Sequence, residues 1–253
     1  MSSALNAQAR KFKDLHVPNQ PVVLANVWDI TSARTVAALP KCKALATASY
    51  AVASSHGTVD ANLTLAQYLA AVAGMAKVAK EFDKPLTVDL QDGYDDSLEY
   101  AIRELIKLGV VGINIEDSRR ADTSMMPCEE AESRIKQALA VAASLGVPDF
   151  VVNARSDAFL RNRDLGEATR RGKRYLEAGA TAVFVLGNPG PTREEIGKLV
   201  TAFDGRLNIG LRFAPGGFST ADLSEMGVSR ISVGPQLQMA AMKAVKDAAE
   251  SIL

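Results

Sequence analysis

The sequence predicts a (β/α)8 barrel of the TIM type, and three observations carry that prediction. Eight short, nearly continuous apolar runs recur along the 253 residues, amphipathic helical stretches separate them, and no Gly-rich phosphate turn follows the first run. Runs that are apolar throughout are what parallel strands look like when both faces are covered. Eight of them alternating with helices is the count of a closed barrel. The rival, a doubly wound open sheet, ordinarily shows a Gly-rich turn after an early strand. Here "PVVLAN" leads into "VWDITSA".

The elements follow in order. The polar segment 4–15 reads as an extra N-terminal helix before the first strand, 21–26. Strands follow at 44–49, 85–90, 112–117, 150–155, 182–187, 207–212 and 230–235. The longest helix is predicted over 64–82. Over 97–109 the spacing puts Leu98, Ile102, Leu105 and Ile106 on one face, with Gly109 as the stop. Helices over 128–146 and 165–179 also end at a glycine. The last segment, 236–253, has an apolar face of Leu237, Ala241, Ala244, Val245 and Ala248. It either closes the barrel or packs on a neighbouring subunit. Pro and Gly fall at element ends, no linker interrupts the series, and 1–253 reads as a single domain.

Composition narrows the partners. Twenty-nine basic and 29 acidic side chains give a formal net charge of 0. That offers no electrostatic case for nucleic acid or an anionic membrane. Two cysteines, Cys42 and Cys128, form no zinc or disulfide pattern. Two histidines, His16 and His56, argue against a two-His metal site. The N-terminus lacks the apolar core of a secretory signal, and no apolar run is long enough to span a bilayer. The expectation is a cytoplasmic protein acting on a small molecule.

In such a barrel the active site lies at the carboxyl ends of the strands. The first strand ends in Asn26, followed by Trp28 and Asp29; the second ends in Thr47, Ser49 and Tyr50. The third ends in Asp89 and Gln91, the fourth in Asn114, Glu116 and Asp117, the fifth in Asn153, Arg155 and Asp157. Gly187 and Asn188 end the sixth and Arg212 the seventh. Asp89 and Glu116 would project into one small volume, where like charges need a cation or a shared proton. Oxygen ligands completed by water suit magnesium, or manganese. The alternative is that both acids cap helices or pair with Arg155 and Arg212. Arg155, an always-charged fork, suits a carboxylate or phosphonate. Together these groups imply a small anionic substrate whose negative charge grows during reaction.

The fragments "NVWDITSA", "ALATASYAVASSHGTVDA", "TVDLQDGYD", "GINIEDS", "NARSDAF" and "GVSRISVGP" resemble, in that order, the isocitrate lyase/phosphoenolpyruvate mutase superfamily. The resemblance runs from about residue 15 to 240. It implies a magnesium-dependent barrel that makes or breaks a C–C or P–C bond beside an α-oxo or α-hydroxy carboxylate, through an enolate-like species. It implies a homo-oligomer, dimeric or tetrameric, with an exchanged C-terminal helix. By position, Asp89 matches the direct metal ligand, and Glu116 and Asp60 match acids that hold the metal through water. Ser49 and Tyr50 match backbone donors to the substrate carboxylate. Arg155 matches the substrate-binding arginine, and 118–127, "SRRADTSMMP", matches a mobile flap.

Two departures stand out. Gln91 replaces an acid and Asp95 a glycine in the family's third-strand motif. An amide still bonds a metal-bound water, but one negative charge is lost. Asp92 points to the opposite face, so it does not compensate. The flap lacks the lyases' catalytic cysteine, and Cys128 falls at the wrong position. His56 is the substitute proton donor by intrinsic pKa. The leading expectation is a magnesium-dependent lyase of a small 2-oxo- or 2-hydroxy-carboxylate, with Arg155, Glu116 and His56 catalytic. Ser49, Tyr50, Asn153 and Arg155 would bind substrate, and Asp89, Glu116, Asp60 and Gln91 would hold the metal. The alternatives are a phosphonopyruvate mutase or hydrolase, and a metal-impaired carboxylate-binding barrel.

Overall fold

A computed structural model describes residues 2–253. The elements run α1 (Ser2–Asp14), β1 (Val22–Leu24), β2 (Asn26–Val27), α2 (Ile30–Ala37), β3 (Leu45–Thr47), α3 (Ser49–Ser55), α4 (Leu65–Glu81), β4 (Leu86–Asp89), α5 (Leu98–Lys107) and β5 (Gly112–Glu116). They continue with α6 (Cys128–Ser144), β6 (Val151–Ser156), α7 (Ala158–Asn162), α8 (Leu165–Glu177), β7 (Ala182–Val185), α9 (Arg193–Ala202), β8 (Leu207–Gly210), α10 (Thr220–Glu225), β9 (Arg230–Ser232) and α11 (Gln236–Glu250).

All strand pairs are parallel, in the order β1-β9-β8-β7-β6-β5-β4-β3-β2. β1 and β2 are one chain run broken at Ala25. The first half pairs with β9 and the second with β3, so this run brings the two edges of the sheet together. Asn26 stitches the seam. Its Nδ2 donates to the Thr47 carbonyl at 2.6 Å, and its Oδ1 accepts from the Val233 and Gly234 N–H groups at 2.9 Å each. The predicted TIM-type barrel is what forms.

The apolar core lies between strands and helices. Tyr68, Val72 and Met75 of α4, Ile102 and Leu105 of α5 and Ile135 and Ala138 of α6 are all buried. The helices form because their apolar residues recur at helical spacing and their starts are capped. Asp29, Thr64, Thr192 and Ser219 each take the N3 backbone N–H in a capping box. The barrel interior is polar instead: Thr87, Asn114, Asn153, Asn208, Arg230 and Ser232 are buried. Barrels of this type more often fill that space with branched aliphatics. α1 crosses the amino end of the strands. A Cβ on Gly112, the first residue of β5, would meet Phe12 at 3.3 Å and the Val151 carbonyl at 2.8 Å, so only glycine lets the helix sit this close.

The last helix departs from one expectation. Its anchor is Gln238, buried, whose Nε2 donates to the Ala51 carbonyl at 2.8 Å. Val245, Met239 and Met242 stay largely exposed, so the predicted apolar face does not close this barrel. No described helix is long and apolar enough to cross a membrane.

Candidate active site

A cavity of about 790 Å³ opens at the carboxyl ends of the strands. Ser49, Asp60, Asp89, Asn114 and Arg155 line one wall, and the 187–193 and 211–218 loops contribute most of the other. Thr87, Arg230 and Ser232 form its depth.

Asp89 ends β4 with its carboxylate fully engaged. Oδ2 accepts from the Ser49 N–H at 3.0 Å and the Ser49 hydroxyl at 2.9 Å, and Oδ1 accepts from Asn114 Nδ2 at 2.9 Å. Asn153 Nδ2 in turn donates to Asn114 Oδ1 at 2.7 Å, fixing the amide's orientation. The chain then turns through left-handed conformations at Gln91, Gly93, Tyr94 and Asp95. Three of those four are not glycine, so backbone strain is stored beside the site. The turn swings Gln91 back towards Asp60: its Nε2 donates to the Asp60 carbonyl at 2.8 Å and to Asp60 Oδ1 at 2.7 Å. Gln91 Oε1 is buried without a hydrogen-bond partner.

Arg155 lies flat between two acids. Nη1 meets Glu116 at 2.6 Å, while Nε and Nη2 fork onto the two oxygens of Asp157 at 2.7 and 3.1 Å. One guanidinium thus serves two carboxylates. Burial pushes the Glu116 carboxyl well above its usual range, and Arg155 pulls the other way without matching it; Asp157, Asp89 and Asp60 add to the rise. Burial, then the charge of Asp89, raises the Asp60 carboxyl as well. Below this layer Asp117 accepts from Tyr175 Oη at 2.7 Å, from Arg171 at 3.2 Å and from the Asp157 N–H at 2.8 Å.

Of the four acids Asp60, Asp89, Glu116 and Asp157, two are closely paired with Arg155, Arg161 stands 3.9 Å from Asp157, and Asp60 and Asp89 have no cation partner among the described residues. Among the described residues no group of three or more Asp, Glu, His or Cys is spaced to cage a metal directly. The set fits a hydrated divalent cation instead, with Asp89 at hand and the other donors reaching it through water. The orphaned Gln91 Oε1 is the acceptor such a water would find.

The structure therefore brings Asp89, Asp60, Gln91, Glu116 and Arg155 together; of these Asp60, Asp89 and Arg155 line the cavity, while Gln91 and Glu116 stand behind them. Ser49 is there too, but its N–H and hydroxyl are taken by Asp89. Tyr50 lines the mouth and is exposed. Asn153 sits beneath, buried, and does not line the cavity. His56 lies outside it, because as the C-cap of α3 its Nδ1 turns back to the Val52 carbonyl at 2.9 Å. Cys128 is buried at the start of α6, and burial pushes its thiol up.

The 118–127 segment is a tight hairpin, bridged from Ser118 to Met125, and it does not line the cavity. Arg120 latches it. Its N–H donates to Asp92 Oδ2 at 2.9 Å, its Nη1 reaches the Ala61 and Leu63 carbonyls, and its guanidinium stacks 4.4 Å from the Tyr94 ring.

On the second wall the sequence reading placed Asn188 and Arg212 at strand ends without giving them a functional role, and it missed Arg193 and Phe184. Asn188, Arg193, Arg212 and Phe184 face the cavity, with Arg212 Nη2 3.5 Å from Asn188 Oδ1. The signal available was the pair of Gly/Pro-rich stretches, "GNPGPT" and "RFAPGG", after the sixth and seventh strands.

Comparison with known proteins agrees with this geometry. The sequence profile of the phosphoenolpyruvate phosphomutase family matches residues 12–253. An uncharacterised protein of Mycobacterium tuberculosis is 32% identical over 249 residues, covering 95% of this chain and 88% of that protein. The 2-methylisocitrate lyase of Shewanella oneidensis is 30% identical over 140 residues, covering 52% of this chain and 46% of the lyase. Among solved structures, a candidate phosphonomutase of Burkholderia cenocepacia superposes with a TM-score of 0.88 at 32% identity, over 98% of this chain and 99% of that one. With its barrel, its strand-end acids and these matches, the chain belongs to the phosphoenolpyruvate phosphomutase family, within the PEP mutase/isocitrate lyase superfamily of lyases and mutases.

Proposed function

We propose that this protein is a carbon–carbon lyase that, with a divalent cation, cleaves or forms the bond beside the oxo or hydroxy carbon of a small carboxylate. The observation that carries the reading is the Asp89 carboxylate, fixed by Ser49 and Asn114 at the cavity wall, with Asp60 on the same wall and Gln91 bonded to Asp60.

Asp89 would hold magnesium, or manganese, directly, with Asp60, Glu116 and Gln91 bonding its waters. When bound, the cation supplies Lewis-acid stabilisation of negative charge on the substrate oxygens. Arg155 does the rest of the electrostatic work: pinned by Glu116 and Asp157, it stays charged and needs no reorganisation as an enolate develops. Ser49 and Asn114 keep the Asp89 carboxylate aimed.

No histidine, lysine or cysteine lines the cavity among the described residues. That favours substrates whose leaving group needs no proton, such as the CO2 lost from an oxaloacetate-like acid. The same feature leaves a second reading, cleavage of a P–C bond in a phosphonopyruvate-like substrate, which phosphorus NMR would distinguish. The proposal includes a cytoplasmic homo-oligomer, with the exposed Met239, Met242 and Val245 of α11 as its contact face.

The test is calorimetric. Oxalate, which mimics the enolate of a 2-oxo acid, should bind only when magnesium or manganese is present. Failure of oxalate to bind in the presence of either ion would remove the enolate reading. A screen of 2-oxo and 2-hydroxy acids with both metals then identifies the substrate.

A further inference from the structure

Asp60 stands on the cavity wall, yet the backbone that carries it is one short turn, Asp60–Asn62, closed by the Leu63 N–H on the Asp60 carbonyl at 3.2 Å. The last carbonyls of so short a turn have no partner within it. Arg120, in the 118–127 hairpin, supplies one. Its Nη1 donates to the Ala61 carbonyl at 3.0 Å and to the Leu63 carbonyl at 2.9 Å. The same residue grips the 91–95 turn. Its N–H donates to Asp92 Oδ2 at 2.9 Å, its Nε lies 3.8 Å from Asp92 Oδ1, and its guanidinium rests 4.4 Å from the centre of the Tyr94 ring. Asp92 is a firm anchor. Its carboxylate is buried and accepts the Tyr94 N–H at 2.9 Å, and its carbonyl accepts Arg134 Nη2 at 2.6 Å. Gln91, beside it, ties the Asp60 turn from within, through the Asp60 carbonyl and Oδ1.

We propose that Arg120 is a positioning residue of the candidate active site: it clamps the Asp60 turn to the buried Asp92 and so holds the Asp60 carboxylate where it can bond the waters of a divalent cation. This rests on the cation reading above and adds to it the residue that sets the place of one donor. The guanidinium is planar, and lying on the Tyr94 ring fixes that plane. A fixed plane keeps Nη1 aimed at both carbonyls. The Asp92 carboxylate is buried, so salt screens its pull on Arg120 less than it would between exposed charges. The hairpin therefore supports the wall that carries Asp60, although it does not itself line the cavity. Groups that orient the donors of a metal without touching it are typically worth about 10–100-fold in metal affinity.

The experiment has two arms on the intact protein and compares Arg120→Ala with Arg119→Ala. Arg119 lies in the same hairpin but pairs with Glu130 of α6 at 2.6 Å, and makes no hydrogen bond to the Asp60 turn among the described residues. The first arm is hydrogen exchange by NMR in EDTA, which reads the clamp without any metal; the amides of β6 report that each variant is folded. The Asn62 and Leu63 amides are bonded to the Val59 and Asp60 carbonyls. They should exchange at least about tenfold faster in Arg120→Ala, the effect of losing hydrogen bonds from a charged donor, and within about twofold of wild type in Arg119→Ala. The second arm is manganese titration read by electron paramagnetic resonance. Arg120→Ala should weaken binding about 10–100-fold and Arg119→Ala less than about twofold. Adding Arg120→Ala to Asp60→Asn should cost less than about twofold more, because a residue acting through Asp60 then has nothing left to position. Unchanged exchange at Asn62 and Leu63 would overturn the clamp. Unchanged manganese affinity in Arg120→Ala, a full further loss in the double variant, or equal losses in the two arginine variants would each overturn the positioning role. Wild type that binds no manganese would overturn it through the cation reading on which it rests, a failure that the exchange arm tells apart from the others.

Discussion

The two walls of the cavity spend their charges differently. On the wall built from β3 to β6, each charged group has a fixed partner: Asp89 with Ser49 and Asn114, Glu116 and Asp157 with Arg155, Asp60 with Gln91. On the wall built after β7 and β8, Arg193 leans out to Asp222 at 3.2 Å, Arg212 has only Asn188, at 3.5 Å, as a side-chain hydrogen-bond partner among the described residues, and most of the backbone is loop. The difference separates two tasks. A network with fixed partners is preorganised and can stabilise developing charge without moving. A rim of loosely held side chains on loops can change its shape between relatives without disturbing that network.

Four measurements can break or sharpen this contrast. The largest effect is expected at Asp89. Asp89→Ala should lower turnover by at least about a thousandfold, as loss of a main electrostatic contact does, with the far-UV spectrum unchanged; full activity would reject the metal assignment. Next is Asp157, wholly buried against Arg155. Asp157→Ala should cost about 3–5 kcal/mol in urea unfolding, because it strips one partner from a buried pair. A loss below about 1 kcal/mol would show that the pair contributes no more than a solvent-exposed one.

The third measurement reads the floor. His16 has a folded pKa near 3 against 6.5 unfolded, from burial first and Arg230 second. Between those values the unfolded chain binds more protons. Stability from this group is complete above pH 6.5 and declines as pH falls towards 3. The slope of unfolding free energy with pH across that window should flatten in Arg230→Met, and an unchanged slope would mean the guanidinium does not act on the imidazole. The smallest effect belongs to the rim: Arg212→Ala should leave stability within about 0.5 kcal/mol of wild type, measured in the same urea series.

Much of the barrel was legible because its strands are short, mostly apolar runs and the helices carry clean periodicity. The acids at the ends of β4 and β5 were legible because a carboxylate closing an apolar run must find a partner; for Glu116 that partner is Arg155, the alternative the sequence also allowed. What escaped has physical causes. The Glu116–Arg155–Asp157 triad needs β5 and β6 in register, Glu116 opposite Arg155, and no linear pattern states register. His56 looked available because nothing in the string shows that a helix end will claim its ring. The 187–193 and 211–218 loops contain few titratable residues, so composition offered little to seize on.

Asn26 has a role in the order of assembly. One amide joins a carbonyl 21 residues ahead to two N–H groups more than 200 residues ahead. Contacts so distant along the chain pay their loop-closure entropy late. The ring can therefore be completed only after nearly all of the polypeptide has left the ribosome, and until then the first and last strands present open edges to solvent and to other nascent copies.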